Sequence, residues 1–390
     1  MKIAVVGAGL MGSAAAKYLV GRKEVQRVQL VDKDQTKLDR VLMLAKSKKL
    51  VPRLLDASDR ADVVEAVKDF DAVLIALPGA AALSTDLAVI EAGVNAVDLT
   101  FRDAQMELQS KCRSAEMTLI PGCGVAPGMA QILAGEAARR LTSVEGIHIL
   151  CGGIPQVPRP PLNYRVVWSF EQVLEMYADE RVRMIRNGKV KTTKPLAEVE
   201  RVAFQKPYEE MEAFLTDGLD TLLYTMKGRV KDMEEKTVRY PGHAEQIKAL
   251  IEAGLVSTKP TKINGTNITP RKFLSDILGP KLQLGEEKDV TLMKVVVTGT
   301  KNDSRLVQEF NMVDYFDEIS HVSSMARTTA YTEAIAAMLL ADGKITEKGV
   351  VPPETAFTGP SFKALFQRLA EENVRISETL TTATPSIANS

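Results

Sequence analysis

The sequence predicts a two-domain α/β protein: an N-terminal doubly wound parallel sheet followed by an α+β domain built on a mixed sheet. Three observations predict it. Strand-like and helix-like segments alternate from Met1 to Ile120, the pattern of β-α crossovers and hence of parallel strands. A GxGxxG stands at the first strand-to-helix junction. Beyond Gly124 the strand-like segments crowd together without regular crossovers, which fits a mixed or antiparallel sheet. At 390 residues the chain is also longer than one core ordinarily serves.

Ile3 to Val6 is a short apolar run suited to a buried parallel strand. It meets Gly7-Ala8-Gly9-Leu10-Met11-Gly12, then an Ala- and Leu-rich helical stretch from Ser13 to Arg22. A second strand follows, Val28 to Val31, ending in Asp32. In that setting each glycine has its own physical task. Gly7 permits the tight turn, Gly9 lets the backbone approach a pyrophosphate, and Gly12 allows helix to pack closely on strand. The first helical amides, those of Leu10 and Met11 among them, offer phosphates free N–H groups and the positive end of the helix dipole. Asp32, 25 residues after Gly7, is placed to accept hydrogen bonds from the adenosine ribose. A carboxylate there repels a 2'-phosphate, so the expected cofactor of this Rossmann domain is NAD. Lys33 and Arg27, close by in sequence, leave NADP open.

The alternation continues through a strand from Asp71 to Pro78, a helix from Ala81 to Ala92 and a strand from Asn95 to Leu99. A helix from Ala104 to Ala115 and a strand from Thr118 to Ile120 complete it, before Pro121-Gly122-Cys123-Gly124. Ligands of open parallel sheets bind beyond the carboxyl ends of the strands. That placement nominates Pro78 and Gly79 for the cofactor, and Asp98 and Cys123 for the substrate. The nucleotide domain is therefore expected over 1–123, completed by C-terminal helices within 325–378, with a substrate domain over 124–324.

In that second domain Pro127-Gly128-Met129 opens a helix through Ala138. Strands are expected at Gly146 to Cys151, Tyr164 to Trp168, Lys189 to Thr193, Glu235 to Arg239, Asp289 to Thr298 and Arg305 to Val313. A helix is expected from Ala244 to Ala253, and a proline-rich loop from Pro155 to Pro161. Trp168 and Phe170 read as core, and the charged stretch from Glu171 to Lys191 as a solvated helix and loop. Met325 to Leu340 reads as a largely buried helix and Ser361 to Glu372 as another. The Ser-Thr-Ala-rich end, 379–390, is expected to be disordered.

Composition excludes several classes. Fifty basic residues balance fifty acidic ones, which argues against nucleic acid or an anionic membrane as partner. No apolar run approaches the length of a spanning helix, and the N-terminal one is too short for a signal peptide. Cys112, Cys123 and Cys151 form no CxxC or zinc spacing, which is cytoplasmic usage with free thiols. His148, His243 and His321 are scattered, so no metal site is expected. His148 is expected on a buried strand and His321 near a helix start.

Four segments then stand out together: Asn95-Ala96-Val97-Asp98-Leu99-Thr100, Pro121 to Gly128, Cys151-Gly152-Gly153-Ile154-Pro155, and Lys236-Thr237-Val238-Arg239-Tyr240-Pro241-Gly242-His243. Jointly they resemble the saccharopine dehydrogenase-like family across residues 1 to 350, and within it the branch that deaminates lysine with NAD. The resemblance implies a Rossmann domain, a substrate domain that also forms a homodimer interface, and an active site between the two. It also implies that the position of Cys123 lies beside the substrate.

Oxidation of an amine needs its neutral form, because the nitrogen lone pair drives hydride from the adjacent carbon. The lysine side chain has a pKa of about 10.4, so the site must take or disfavour a proton. L-lysine also brings a carboxylate and an α-ammonium, calling for one cation and one anion. Arg239 is the candidate for the carboxylate, since a guanidinium binds both oxygens at once; a structural ion pair is the other reading. Tyr240 and His243 are candidates for proton transfer, although Pro-Gly-His also suits a helix cap. Asp98 would bind the ammonium or orient a base, and Cys123 would line the pocket. Two further functions compete. A saccharopine- or carboxyspermidine-type dehydrogenase would need a second carboxylate-binding cation, for which Arg102, Arg159 and Arg165 are available. A non-catalytic NAD-binding regulator would need none of this chemistry.

Overall fold

Apolar runs set the first sheet. Ile3-Ala4-Val5-Val6 and Ala72-Val73-Leu74-Ile75 are buried at every position, as strands covered on both faces must be. In the computed structural model, which describes residues 1–167, 170–178, 181–302 and 304–383, these runs lie in strands β1 (Lys2–Val6) and β4 (Ala72–Ile75). They pair side by side and in parallel. The other strands of this sheet are β2 (Arg27–Asp32), β3 (Leu50–Leu54), β5 (Ala96–Asp98), β6 (Thr118–Ile120) and the short Gly349–Val350. The order is Gly349–Val350, β6, β5, β4, β1, β2, β3, parallel throughout the described residues. The chain runs outward from β1 to β3, then returns to β4 on the other side of β1. The resulting switch point, between β1 and β4, has Gly7 and Ala76 to Gly79 at its carboxyl end, where such sheets bind ligands.

Several elements depart from the sequence reading. The first helix begins at Leu10, three residues early, directly on the glycine turn. The helix expected over Ala104 to Ala115 is broken into Asp103–Met106 and Gln109–Ser114. β3 carries Pro52 and only one fully buried residue. An edge strand tolerates proline, and this one lacks the apolar run that marks its neighbours.

The described residues divide into two compact units. The first comprises Met1–Arg139, Asp220–Thr225 and Ala326–Arg375; the second comprises Arg140–Leu219, Met226–Met325 and the chain from Ile376. The first unit thus keeps the helix Met129–Arg139, which the expected boundary at 123 assigned to the second. That helix is buried at nearly every position, so it belongs inside a core and not at a linker. The insertion Asp220–Thr225 is held by Glu354, a buried carboxylate that accepts hydrogen bonds from the hydroxyls of Thr221 at 2.8 Å and Thr225 at 2.6 Å.

The second unit is built on a mixed sheet. Its strands are β7 (Ser143–Pro155), β8 (Val182–Arg186), β9 (Lys189–Thr193), β10 (Glu200–Val202), β11 (Met211–Leu215), β12 (Val230–Arg239), β15 (Asp289–Lys301), β16 (Ser304–Tyr315) and Ser377–Ala383. A separate hairpin joins β13 (Thr261–Ile263) to β14 (Thr266–Ile268). The path is β10, β11, β12, β7, β15, β16, Ser377–Ala383, with β8 on β12 and β9 on β8. β12 runs parallel to β7, while the other neighbours are antiparallel. Residues 379–383, expected to be disordered, instead add a strand to β16; 384–390 lie outside the described residues. Tyr164 to Val167 form no strand, only a bridge from Val166 to Gln283, and Trp168 lies outside the described residues. The stretch from Glu171 is not simply solvated. Its helix Phe170–Ala178 buries Phe170, Val173, Leu174 and Tyr177, and β8 buries Val182, Met184 and Ile185. Among the described residues no helix is long and apolar enough to cross a membrane.

Candidate functional site

The glycine turn has the shape a dinucleotide requires. Gly7 sits at φ +108°, and a Cβ there would run into the carbonyl of Ala76. A Cβ on Gly12 would lie 1.8 Å from the carbonyl oxygen of Gly7, so helix and strand can meet only where there is no side chain. Gly9 is the opposite case, with nothing within 4 Å of where its Cβ would be. That open side faces away from the packed turn and leaves room for phosphates against the amides of Leu10 and Met11. Asp32, at the end of β2, accepts from the amide of Ala8 at 2.7 Å and from that of Asp34 at 2.9 Å. It therefore braces the turn as well as lying where a ribose would sit. The two cations near it in sequence are directed elsewhere. Arg27 starts β2 and lies over the ring of Phe70 at 5.5 Å, and Lys33 makes a loose 3.7 Å pair with Asp56. The residues present fit an adenine dinucleotide.

Pro78 and Gly79 follow β4 and open the helix Gly79–Ala92, with Pro78 as its cap residue. The Arg102 guanidinium closes over Gly79, where a Cβ would lie 2.5 Å from Nη2.

Asp98 is turned away from solvent. It is fully buried at the end of β5, where its carboxylate accepts from the Thr100 amide at 2.7 Å, the Thr100 hydroxyl at 3.0 Å and Gln105 Nε2 at 2.8 Å. The same Gln105 nitrogen donates to buried Asp86 at 2.8 Å. Burial, and then the neighbouring Asp86, push the Asp98 carboxyl well above the usual carboxylate range. Burial likewise raises Asp86 and Glu333, the latter with Asp98 nearby. A strand-end position fixes where the backbone goes, but the turn to Thr100 folds this side chain inward. Cys123 donates its amide to the Asp98 carbonyl at 2.9 Å and is itself fully buried. Burial and nearby Glu333 raise its thiol well above normal, so it lines no exposed surface of this unit.

The second constellation lies on β12. Strand alternation puts Glu235, Thr237 and Arg239 on one face. The Arg239 guanidinium is buried, stacks over Tyr164 at 4.8 Å and lies beside the Tyr177 hydroxyl. Its Nη1 donates to the Val238 carbonyl at 2.8 Å, while Nε has no partner. Glu212, directly across on β11, is no counter-ion: its two oxygens accept from the amides of Gly242 and Ala244 at 2.8 and 2.7 Å, capping the helix His243–Glu252. Among the described residues no carboxylate pairs with Arg239, which removes the ion-pair reading.

His243, the first residue of that helix, turns into a box formed by Tyr164, Tyr177 and Phe214, with ring centroids 5.3, 5.7 and 6.3 Å away. Nδ1 lies 2.9 Å from the Leu162 carbonyl and therefore carries the proton; Nε2 has no partner. Burial, then the charge of Arg239, press its pKa down to about 3. It stays neutral at physiological pH and is a poor base there. Tyr240 donates its hydroxyl to the carbonyls of Pro155 and Gln156, both at 2.9 Å, and burial raises its pKa. It secures the end of β7. His243 and Tyr240 thus each direct a hydrogen at backbone carbonyls.

Of the spare arginines, Arg165 and Arg159 both pair with Glu287, at 3.0 and 3.4 Å. His148 is part-exposed beside Glu234 at 3.1 Å, and His321 is exposed just before the helix Ser324–Ala341. The residue that sequence reasoning passed over is Glu235. In the run Glu234-Glu235-Lys236 it looks like one charge of a solvated face. The available signal was spacing: on a strand, 235 shares a face with 239.

Comparison with known proteins places the chain. Residues 3–120 match the saccharopine dehydrogenase NADP binding domain, and residues 124–374 match the saccharopine dehydrogenase C-terminal domain. Among curated proteins, mitochondrial alpha-aminoadipic semialdehyde synthase of Mus musculus is 24% identical over 96% of this chain and 47% of its own length. The chain thus spans about half of that relative and of its Bos taurus counterpart. Carboxyaminopropylagmatine dehydrogenase of Synechocystis is 22% identical over 90% of this chain and 91% of its own. Apo saccharopine dehydrogenase (L-Glu forming) from Saccharomyces cerevisiae superposes with a TM-score of 0.80 at 19% identity, covering 97% of this chain and 99% of that one. The glycine turn, the mixed sheet and both family matches agree: the chain belongs to the saccharopine dehydrogenase family.

Proposed function

We propose that the protein oxidises the side-chain amine of L-lysine with NAD, the lysine 6-dehydrogenase reaction. The observation that carries this reading is Arg239, a buried guanidinium with no carboxylate partner among the described residues. An unpaired buried charge is costly, and a substrate carboxylate would relieve that cost with two charge-assisted hydrogen bonds. Arg159 and Arg165, two of the three cations a second substrate carboxylate might use, are taken by Glu287. That favours a substrate with a single carboxylate.

Each part of the site has an assignment. Arg239 holds the α-carboxylate, and the Tyr164 ring beneath it fixes the plane of the guanidinium. Neutral His243 braces the aromatic box through Leu162, and Tyr240 anchors β7, so both position and neither titrates during turnover. A bound nicotinamide would supply the hydride acceptor. Gly7, Gly9, Gly12, Leu10 and Met11 would hold its pyrophosphate, with Pro78 and Gly79 bordering it. Asp32 would receive the ribose hydroxyls. Among the described residues no cation pairs with Asp32, which supports NAD, although the matching family is named for NADP. Hydride loss would leave an imine on the substrate. Water adds to it and expels ammonia, giving the 6-semialdehyde, which closes on its own α-amine with loss of water as a cyclic imine. NADH and a proton are the other products.

One observation favours a second reading. Arg102 is exposed, lies over Gly79, and has no ion pair among the described residues. It could meet the extra carboxylate of a secondary amine, as in a saccharopine-type reaction. The test is NADH formation with L-lysine, beside L-saccharopine and carboxyspermidine, with NAD and NADP compared. Lysine turnover with stoichiometric ammonia is expected. Silence on lysine with turnover of a dicarboxylate would move the function to the second reading.

A further inference from the structure

β12 carries a second buried ionisable group, Glu235, whose carboxyl burial pushes up to about 8. Glu235 points from the same strand face and is almost fully buried. It accepts one hydrogen bond, from the Thr216 hydroxyl at 2.6 Å, and that hydroxyl lies 2.8 Å from Thr237. No cation pairs with Glu235 among the described residues. Its charged neighbour Asp217 is already engaged by Arg183 at 2.8 Å. Four residues along a strand separate the Glu235 and Arg239 backbones by about 13 Å. Their side chains do not pair with each other, while Cys151 and Tyr177 each lie within electrostatic reach of both.

A buried guanidinium and a buried carboxyl held on one face without meeting are each left unsatisfied, the first as an unpaired charge and the second as an acid that keeps its proton for want of a cation. A ligand carrying both a carboxylate and an ammonium would satisfy both, pairing the guanidinium at one end and ionising the carboxyl, with release of its proton, at the other. Resting on the assignment of Arg239 to a carboxylate, we infer that Glu235 binds the α-ammonium of that same ligand. The pair would then recognise the zwitterionic head of an L-α-amino acid. Thr216 fixes the carboxyl group, and Thr237, between the two charges in sequence, fixes Thr216. The side chain beyond the head does not enter this recognition, so it constrains the substrate class at its α-carbon alone.

Calorimetric titration of the full-length protein, in the presence of NADH, with L-lysine, 6-aminohexanoate and 1,5-diaminopentane tests this. The second ligand lacks the α-amine and the third lacks the carboxylate. Wild-type protein is expected to bind lysine about 10- to 100-fold more tightly than 6-aminohexanoate, the range of one charge-assisted hydrogen bond. Glu235→Gln, which keeps an acceptor for Thr216, should lower lysine affinity to that of 6-aminohexanoate and leave 6-aminohexanoate unchanged. Equal wild-type affinity for the two ligands overturns the inference whether or not the variant folds. So does a variant that weakens both ligands alike. If 1,5-diaminopentane binds as well as lysine, the Arg239 reading fails and the inference falls with it. If lysine far exceeds 1,5-diaminopentane but not 6-aminohexanoate, the inference fails alone.

Discussion

The turn from Gly7 to Gly12 offers backbone amides and owes its shape to side chains it lacks. β12 offers ionisable side chains, the Glu235 carboxyl and the Arg239 guanidinium, the latter held among aromatic rings. The first surface is recognition by omission: a methyl group on Gly12 would collide with Gly7, and none on Gly9 would touch anything. On the proposed reading the second would be recognition by confinement, since Tyr164 and Tyr177 flank a guanidinium that no carboxylate among the described residues neutralises. Phosphates are common to every dinucleotide, so amides suffice for them. A small zwitterion must be told from many others, which calls for individual charges in fixed places.

The comparison breaks most sharply at Arg239. Arg239→Ala should cost about 2–5 kcal/mol of substrate binding, on the order of 30- to several-thousand-fold, with NADH affinity unchanged. Titration of both ligands against the same preparation checks it. A parallel loss of NADH binding would show that the variant had lost its fold.

At the glycine turn the expectation divides between two neighbouring positions. Gly12→Ala forces the first helix off β1 and should cost about 1–3 kcal/mol of stability, together with most cofactor affinity. Gly9→Ala should leave the melting temperature unchanged and weaken NADH alone, because its methyl group enters only the space a pyrophosphate would need. Equal destabilisation by both would mean that Gly9 is packed in solution.

Individual acids also respond to pH with opposite signs. Asp86, Asp98 and Glu333 are buried acids whose ionisation is pushed upward in the folded state. The unfolded chain gives up those protons near pH 4. The folded protein therefore binds more protons above that pH, and stability falls as pH rises toward the folded pKa values, by up to about 1.4 kcal/mol per unit for each group. Asp86→Asn, which keeps an acceptor for Gln105, should flatten that fall. Glu234 behaves in reverse. Burial opposes its charge, yet His148 and Arg186 outweigh it and hold its pKa at about 2. Its contribution is present above the unfolded glutamate pKa and is lost as pH drops toward 2. Glu234→Gln should thus destabilise at neutral pH and be indifferent at the acid end. Melting curves across pH separate the two; a pH-independent effect of Asp86→Asn would refute the buried-acid account.

What the sequence disclosed follows the same line. The turn was legible because glycine spacing between a strand and a helix has few other causes, and Asp32 follows at a fixed distance. The parallel strands were legible because a strand buried on both faces is an apolar run. β3, interrupted by Pro52, was not, and neither was the direction of any side chain. Asp98 was placed correctly at a strand end, yet the Thr100 turn faces it inward. His243 and Tyr240 invited an acid-base role through their chemistry, but packing, which no local pattern records, closed both into hydrogen bonds with carbonyls. Glu235 was hidden in a charged triplet whose alternate members face opposite sides of the sheet. Lys236 pairs with Glu234 and with Glu200, while Glu235 faces Thr216.

Tyr240 gives the smallest effect and a pointed one. Its hydroxyl has a single hydrogen to share between the carbonyls of Pro155 and Gln156, so Tyr240→Phe removes one hydrogen bond and leaves two acceptors at the end of β7. The cost should be about 1 kcal/mol of stability, seen as a small fall in denaturant midpoint without a change in slope. If the phenol only anchors β7, the pH profile of turnover in the variant should superimpose on that of the wild type, since no titrating group has left the reaction. A profile that loses its basic limb would make the hydroxyl a proton carrier after all. It would also mean that the end of β7 rearranges during turnover, because in this structure the hydroxyl's proton is already committed to a carbonyl.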